Sequence, residues 1–428
     1  MSALTKYQVK DFLFILLLLS LPFYSFNLPI IINLSIQDII LLINLFYIFI
    51  NFLNKDLKLG KNQLKLLLLI LSFLILNILA LKNSPDLANS VIKSLSLLNI
   101  FFLVFVTIFS INSIQFFIKV LKIIYYITLV LSINGILQVV VYEIFGLYIG
   151  GVPGYPFIFS TYLRATSLFE NPNLYSFFLH MGYGISLACL FFYKKFNMLK
   201  IKFKYILLNH LLILCAIIAS GSKGAFLSLL VTFFFFLLII IIRNKTWPFF
   251  IILISPIISL VLSKINILIN MVFADGGEVN PRIIYWKYVI IMFKEKPFIG
   301  YGIDSFRKVS GIDYIPHNLY LQTLGEQGIL GLSILLLVFF NCIYFMIKIF
   351  TKTKDIKTLV IATSLVIGLT QMLIHSISLS SLNNPMLWIC ISLINIFYFL
   401  IRSEIKDYDE SNGIPRSSYW RGVKKESF

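Results

Sequence analysis

Charge is what this chain of 428 residues is short of: only 13% of its residues are Asp, Glu, Lys or Arg, against 59% hydrophobic. Soluble domains carry roughly 25% charged and about 45–50% apolar residues. The shortage and the excess together exclude an ordinary water-soluble fold. Cysteine is scarce as well. Cys189, Cys215, Cys342 and Cys390 all stand inside apolar runs, with neither metal-ligand spacing nor the pattern of a disulfide framework. They read as small buried hydrophobes. There is no P-loop, no zinc motif and no Asp-rich metal box, which argues against an ATP-driven pump and against a metal centre. Ser220 and Ser222 have no adjacent His in sequence, so a serine-nucleophile reading is weak.

What fills the chain instead is long apolar runs such as DFLFILLLLSLPFYSF and FLSLLVTFFFFLLIIIIR, which lack any polar stripe. A spanning helix needs about 20 mostly apolar residues. Twelve runs qualify, near 12–26, 33–53, 64–81, 91–110, 121–143, 174–193, 205–219, 224–242, 247–263, 329–347, 358–374 and 386–401. The first lacks a small-residue cleavage site and is followed by another long run, so it reads as a retained helix. The expectation is an all-α integral membrane protein of about twelve transmembrane helices.

The 36 Lys and Arg residues sort this topology. With a cytoplasmic N-terminus, every inside segment is basic, including Lys55 to Lys65, Lys194 to Lys204, Lys348 to Lys357 and the C-terminal tail. The short outside loops are nearly bare, with Lys82, Lys93, Arg164 and Lys223. That asymmetry follows the positive-inside rule and predicts both termini in the cytoplasm. It also accounts for the net charge of +18 without nucleic acid as a partner. The natural divisions are spans over 1–263, a large extracytoplasmic loop over 264–328, further spans over 329–401 and a tail over 402–428. Loops of that length are usually functional, and this one is near neutral.

Its polar residues are the candidates for chemistry. In NPRIIYWKYV, Asn280 suits a helix cap and Pro281 a first helical position, which puts Arg282 in a first turn. An arginine among free backbone N–H groups is a sensible clamp for phosphate. It could equally pair with Glu278 or Asp275. In DYIPHNLYLQTLGEQG, Pro316 suits a helix start and so places His317 in a first turn. Asn318, Gln322 and Glu326 then share one polar face. A neutral His317 could accept a proton from a sugar hydroxyl. The alternative is an interfacial histidine bonded to a loop carbonyl. Lys223 in SGSKGA and Arg164 in STYLRATSLFENPN add cations to outer turns, where charge is a functional hypothesis unless each merely snorkels. His180, His210 and His375 lie in or beside spans and read as structural.

The succession SLFENPN, SGSKGA, NPRIIYWKYVIIMFKEKPFIGYGIDSF and HNLYLQTLGEQGILGL resembles the O-antigen ligase and polymerase superfamily. The motifs cover about 160 to 335, and the remainder agrees in topology. The resemblance implies a GT-C-like, metal-independent membrane glycosyltransferase without cofactor. It implies short helices in the large loop and a place in the cytoplasmic (inner) membrane. Its donor would be an undecaprenyl-diphosphate-linked glycan and its acceptor a glycan or lipid core at the outer face. The family's loop histidine maps to His317 and its loop arginine to Arg282. A second family arginine maps to Lys223, a departure that exchanges a planar fork for a point charge. Lys223, Arg164 and Asn318 are expected at the substrate, with His317 and Arg282 at the chemistry. No appended soluble acceptor-binding domain is seen, which favours a polymerase or ligase over protein glycosylation. The rival is a secondary transporter or lipid-linked glycan flippase. Such proteins place charge near the bilayer midplane and often show internal repeats, and neither is evident here.

Overall fold

The computed structural model describes residues 3–24, 27–28, 34–53, 60–153, 163–243, 274–275, 278–279 and 281–410. Eleven long helices of the bundle are α1 (Ala3–Ser20), α2 (Ile36–Leu53), α3 (Lys61–Ala80), α4 (Leu87–Ser110), α5 (Ile114–Phe145), α6 (Pro172–Phe191), α7 (Phe203–Ala219), α8 (Lys223–Arg243), α11 (Leu319–Lys352), α12 (Ile356–His375) and α13 (Pro385–Glu410). Among the described residues between α8 and α11 stand α9 (Pro281–Glu295) and the short α10 (Phe306–Ser310). Among the described residues strand is confined to three antiparallel pairs of two residues each.

The fold is therefore mostly helical, as expected. Seven described helices (α3, α4, α5, α6, α11, α12 and α13) are long and apolar enough to cross a membrane. Shorter apolar helices stand in α2, α7 and α8. The expected run 247–263 lies outside the described residues, as do most of 264–280 and the tail beyond 410. Many large apolar side chains on the bundle's flanks are exposed, among them Phe46, Leu68, Ile78, Val130 and Phe340. So much exposed apolar surface is tolerable only where it meets lipid.

Helix boundaries follow local chemistry. Asp86, Ser113, Asn171 and Asp355 each accept a backbone N–H from the first turn of α4, α5, α6 and α12, a bond worth about 1 kcal/mol. Pro172 occupies the first position of α6, where its missing N–H costs nothing.

α6 packs closely against α12, and small residues make it possible. A Cβ on Gly184 would lie 2.6 Å from the Ser364 carbonyl oxygen and 2.8 Å from the Gly368 nitrogen. Between apolar helices in lipid, close approach and polar links replace the hydrophobic effect as the cohesive term. Asn341 Nδ2 donates to Asn395 Oδ1 at 3.0 Å and links α11 to α13.

One end of the bundle gathers the features of interest. There the α3–α4 turn receives the segment after α9. Asn83 Nδ2 donates to the Gly300 carbonyl at 2.9 Å, Ser90 Oγ to the Ile303 carbonyl at 2.8 Å and Asn89 Nδ2 to Asp304 Oδ2 at 2.8 Å. Val289, Met292 and Phe306 form a small separate core among Tyr285, Tyr301 and Leu321. The short helices expected in this region are present.

Candidate functional site

Start with the helix that carries His317 on its approach. The expectation was that Pro316 opens the helix and that His317 sits in its first turn. Instead Asn318 is the cap: its Oδ1 accepts the Leu321 N–H at 3.0 Å, and α11 begins at Leu319. An asparagine is the stronger terminator of the two because it supplies the acceptor that the first turn lacks. His317 therefore precedes the helix, with φ at 49°. A non-glycine residue in that region is strained and persists only when its neighbours hold it.

Its neighbours do hold it. Trp286 Nε1 donates to the Pro316 carbonyl at 3.0 Å. On the other side, the Leu319 N–H donates to the Ser376 carbonyl at 2.9 Å and fastens the start of α11 to the end of α12. Trp286 lies four residues after Arg282 on α9, so both point from one face of that helix. The Arg-x-x-x-Trp spacing thus puts a cation and an anchor for the histidine loop side by side.

The rest of the polar face of α11 is occupied with folding. Glu326 is 1% exposed, and its Oε2 accepts the Asp304 N–H at 3.0 Å. Gln322 Nε2 donates to both Glu326 oxygens at 3.2 Å. Just beyond, Gly328 adopts φ 66° and ψ −168° and breaks the helical ladder. The freed amides of Ile329 and Leu330 bond to the carbonyls of Pro297 (2.8 Å) and Phe298 (3.2 Å). Any Cβ at 328 would run into the Phe298 carbonyl. The boundary expected at 328–329 coincides with this kink, where two helical segments of α11 join, and the polar residues ahead of it largely dock the α9–α10 segment.

Arg164 reaches the site from a different part of the chain. Its Nε donates to the Ser220 carbonyl at 2.9 Å and its Nη2 to Asn173 Oδ1 at 3.4 Å. Ala165 N–H donates to the Ala219 carbonyl at 3.0 Å, so this loop lies along the α7–α8 turn. Gln138, within α5, clasps it: Oε1 accepts from the amides of Thr166 (3.0 Å) and Ser167 (2.9 Å), and Nε2 donates to the Ser167 carbonyl at 2.9 Å.

The electrostatics show what meets what. Arg282 lies within electrostatic reach of Arg164, His317 and His375. Burial, and then the Arg282 charge, lowers the Arg164 pKa. Burial first, then Arg282 and Arg307, pushes His317 down to about 4. The imidazole is neutral at ordinary pH, and its Nδ1 is buried with no hydrogen-bond partner among the described residues. Among the described residues the hydrogen-bond partners of Arg164 are neutral. Two guanidiniums in electrostatic range of each other, one of them also near a neutral imidazole, form a site that favours an anion.

Lys223 opens α8 at the same end, half-buried and three residues from the carbonyl that Arg164 grips. Asn318 is 5% exposed, with its oxygen engaged as the helix cap. The structure thus brings Arg282 within electrostatic range of both Arg164 and His317, with Lys223 on the turn that Arg164 grips. Sequence reasoning missed Trp286, Gln138 and Arg307. Gln138 had a signal, a polar amide within an apolar run; the indole N–H of Trp286 showed its target only in three dimensions. His375 and His180, expected to be structural, share a hydrogen bond in the interior. Among the described residues no group of His, Cys, Asp and Glu is arranged to hold a metal ion.

An apolar helical bundle with seven described helices long and apolar enough to cross a membrane is the architecture of a multi-pass membrane protein. Residues 208–336 match the family model described as O-antigen ligase, which supports membership of the O-antigen ligase and polymerase superfamily. That stretch contains Ser222, Lys223, Arg282, Trp286, His317 and the Gly328 kink. The match implies a membrane glycan ligase or polymerase. No curated protein matches the chain.

Proposed function

We propose that this protein transfers a glycan from an undecaprenyl-diphosphate-linked donor to a hydroxyl of a glycan or lipid-core acceptor, at the outer face of the cytoplasmic membrane. The acceptor oxygen forms a bond to the anomeric carbon, and the bond from that carbon to the diphosphate oxygen breaks. The lipid diphosphate departs with the electron pair. His317 takes the acceptor proton. Arg282, Arg164 and Lys223 stabilise the charge that builds on the leaving group, an electrostatic form of catalysis that needs no metal.

The observation that carries the reading is Arg282 within electrostatic range of both Arg164 and a neutral, half-buried His317 whose Nδ1 has no hydrogen-bond partner among the described residues. A neutral imidazole with a lone pair to offer, beside cations that favour a departing diphosphate, is what such a transfer requires. The outer-face assignment rests on charge: the opposite ends of the helices carry Lys194, Lys195, Lys200, Lys202, Lys352 and Lys354.

The deciding experiment supplies purified protein in detergent with a lipid-linked glycan and candidate acceptors. Release of undecaprenyl diphosphate with product formation supports transfer. A ladder of products identifies a polymerase and a single addition a ligase. Absence of both products with every donor and acceptor, from protein that is folded, would overturn the reading in favour of transport, which detergent abolishes.

A further inference from the structure

A line of buried polar groups runs inward from the cationic end and has no part in the proton transfer assigned to His317. Ser222 Oγ lies 3.1 Å from His375 Nε2, His375 Nδ1 lies 3.0 Å from His180 Nε2, and Ser228 Oγ lies 3.3 Å from that same His180 nitrogen. The serines come from the start of α8, His375 ends α12 and His180 belongs to α6. Ser222 is 3% exposed and the other three are fully buried. Gly224 admits the ring: a Cβ there would lie 2.8 Å from His375 Cδ2.

The protons on this line can be placed from its inner end. Ser228 has one hydroxyl proton, which it donates to the Ala225 carbonyl at 2.7 Å. Toward His180 it can only accept, so His180 carries its proton on Nε2. Among the described residues His180 Nδ1 is buried without a hydrogen bond of full geometry, the Gln371 amide being the polar group beside the ring. An orphaned N–H there would cost more than an unfilled lone pair, which favours the same tautomer. His375 Nδ1 must then accept from His180, and the His375 proton sits on Nε2. That proton is donated to Ser222 Oγ, which also accepts the Ala225 N–H at 3.3 Å. Among the described residues no carboxylate bonds to either imidazole, and a buried unpaired charge is too costly to place on them. With both lone pairs of Ser222 Oγ engaged, its own O–H remains to be donated, one residue before Lys223.

We propose that His180 and His375 are positioning residues whose fixed tautomers make the Ser222 hydroxyl an obligate donor, and that it binds an oxygen of the leaving diphosphate beside Lys223. This rests on the transfer reaction proposed above, because the anion is that reaction's leaving group. Ser222 offers no nucleophile in this scheme. It directs one hydrogen bond and holds the turn that presents the lysine.

Two measurements test it on the full-length protein in detergent. With 15N-labelled histidine, nitrogen–proton correlation spectra report which ring nitrogen is protonated, and His375→Gln and His180→Gln assign the signals. Nε2 protonation on both rings is expected. A proton on His375 Nδ1 overturns the inference, since Ser222 would then have to spend its O–H on Nε2. The second measurement is steady-state transfer by Ser222→Ala. Loss of a hydrogen bond to a charged group predicts a rise of about tenfold or more in KM for the lipid-linked donor, with kcat changed far less and the melting temperature kept. An unchanged KM in a protein that transfers overturns the substrate contact. A wild-type protein that neither binds a short-chain prenyl diphosphate nor transfers glycan overturns the functional reading and the contact with it, whereas Nε2 protonation would still establish the proton order of the relay.

Discussion

At the scale of single residues, His317 is the sharpest test. General-base removal typically costs about 10²–10⁴ in rate. His317→Ala and His317→Gln are both expected to lose transfer by that order while still binding donor, because the cations carry binding. A glutamine variant that turns over near the wild-type rate would reduce His317 to a positioning role. The pH profile adds an independent check. Burial and two arginines hold the free-protein pKa near 4, and a base works only when deprotonated. The acid limb of kcat/KM is therefore expected near pH 4, with activity present above it and lost below, rather than near the ordinary histidine value of about 6.5. Lys223 permits a graded test: Lys223→Ala should abolish transfer, and Lys223→Arg should retain or raise it because a guanidinium fork suits phosphate. Full activity of the alanine variant would mean that Lys223 only reaches for the interface. Trp286→Phe keeps the ring and deletes the bond to the Pro316 carbonyl. With the strained 316–318 turn released, transfer should fall about tenfold to a hundredfold, while donor binding changes little.

At the scale of elements, the Gly328 kink and the segment it receives form a unit. The amides that leave the α11 ladder are satisfied by Pro297 and Phe298, and the Gly302 N–H donates to the Glu326 carbonyl at 2.7 Å. Gly328→Ala cannot take the same backbone conformation without strain, nor clear the Phe298 carbonyl. The expected result is a lower melting temperature together with loss of transfer, since the displaced α9 carries both Arg282 and Trp286. A melting curve and activity that both match wild type would show that the two elements are not coupled. The α11–α13 link is a milder case. Asn395→Leu deletes the bond to Asn341, and interhelical hydrogen bonds in lipid average only about 0.6 kcal/mol. It should lower stability slightly and leave transfer intact.

At the scale of the molecule, the sidedness of the bundle decides whether the site faces donor and acceptor. Asp313 is exposed in the turn ahead of His317. In a variant without the four native cysteines, Asp313→Cys should react with a membrane-impermeant maleimide from the outer face of intact cells. Labelling only after permeabilisation would reverse the topology and with it the proposed reaction.

Composition and the spacing of apolar runs were enough to establish a helical membrane protein. Those signals are local: each helix must satisfy its own backbone within one continuous stretch, whatever its neighbours. The candidate residues were equally visible, because Arg164, Lys223, Arg282 and His317 are conspicuous polar residues in an apolar chain. What they are doing was not visible. The oxygen of Asn318 closes the first turn of α11, and Glu326, read from sequence only as part of one polar face, is buried against the Asp304 amide. His180 and His375 lie 195 residues apart in the chain and 3.0 Å apart in the fold. Only tertiary structure decides such pairings, because a hydrogen bond depends on ångström-scale separation and direction, and neither is encoded in sequence distance.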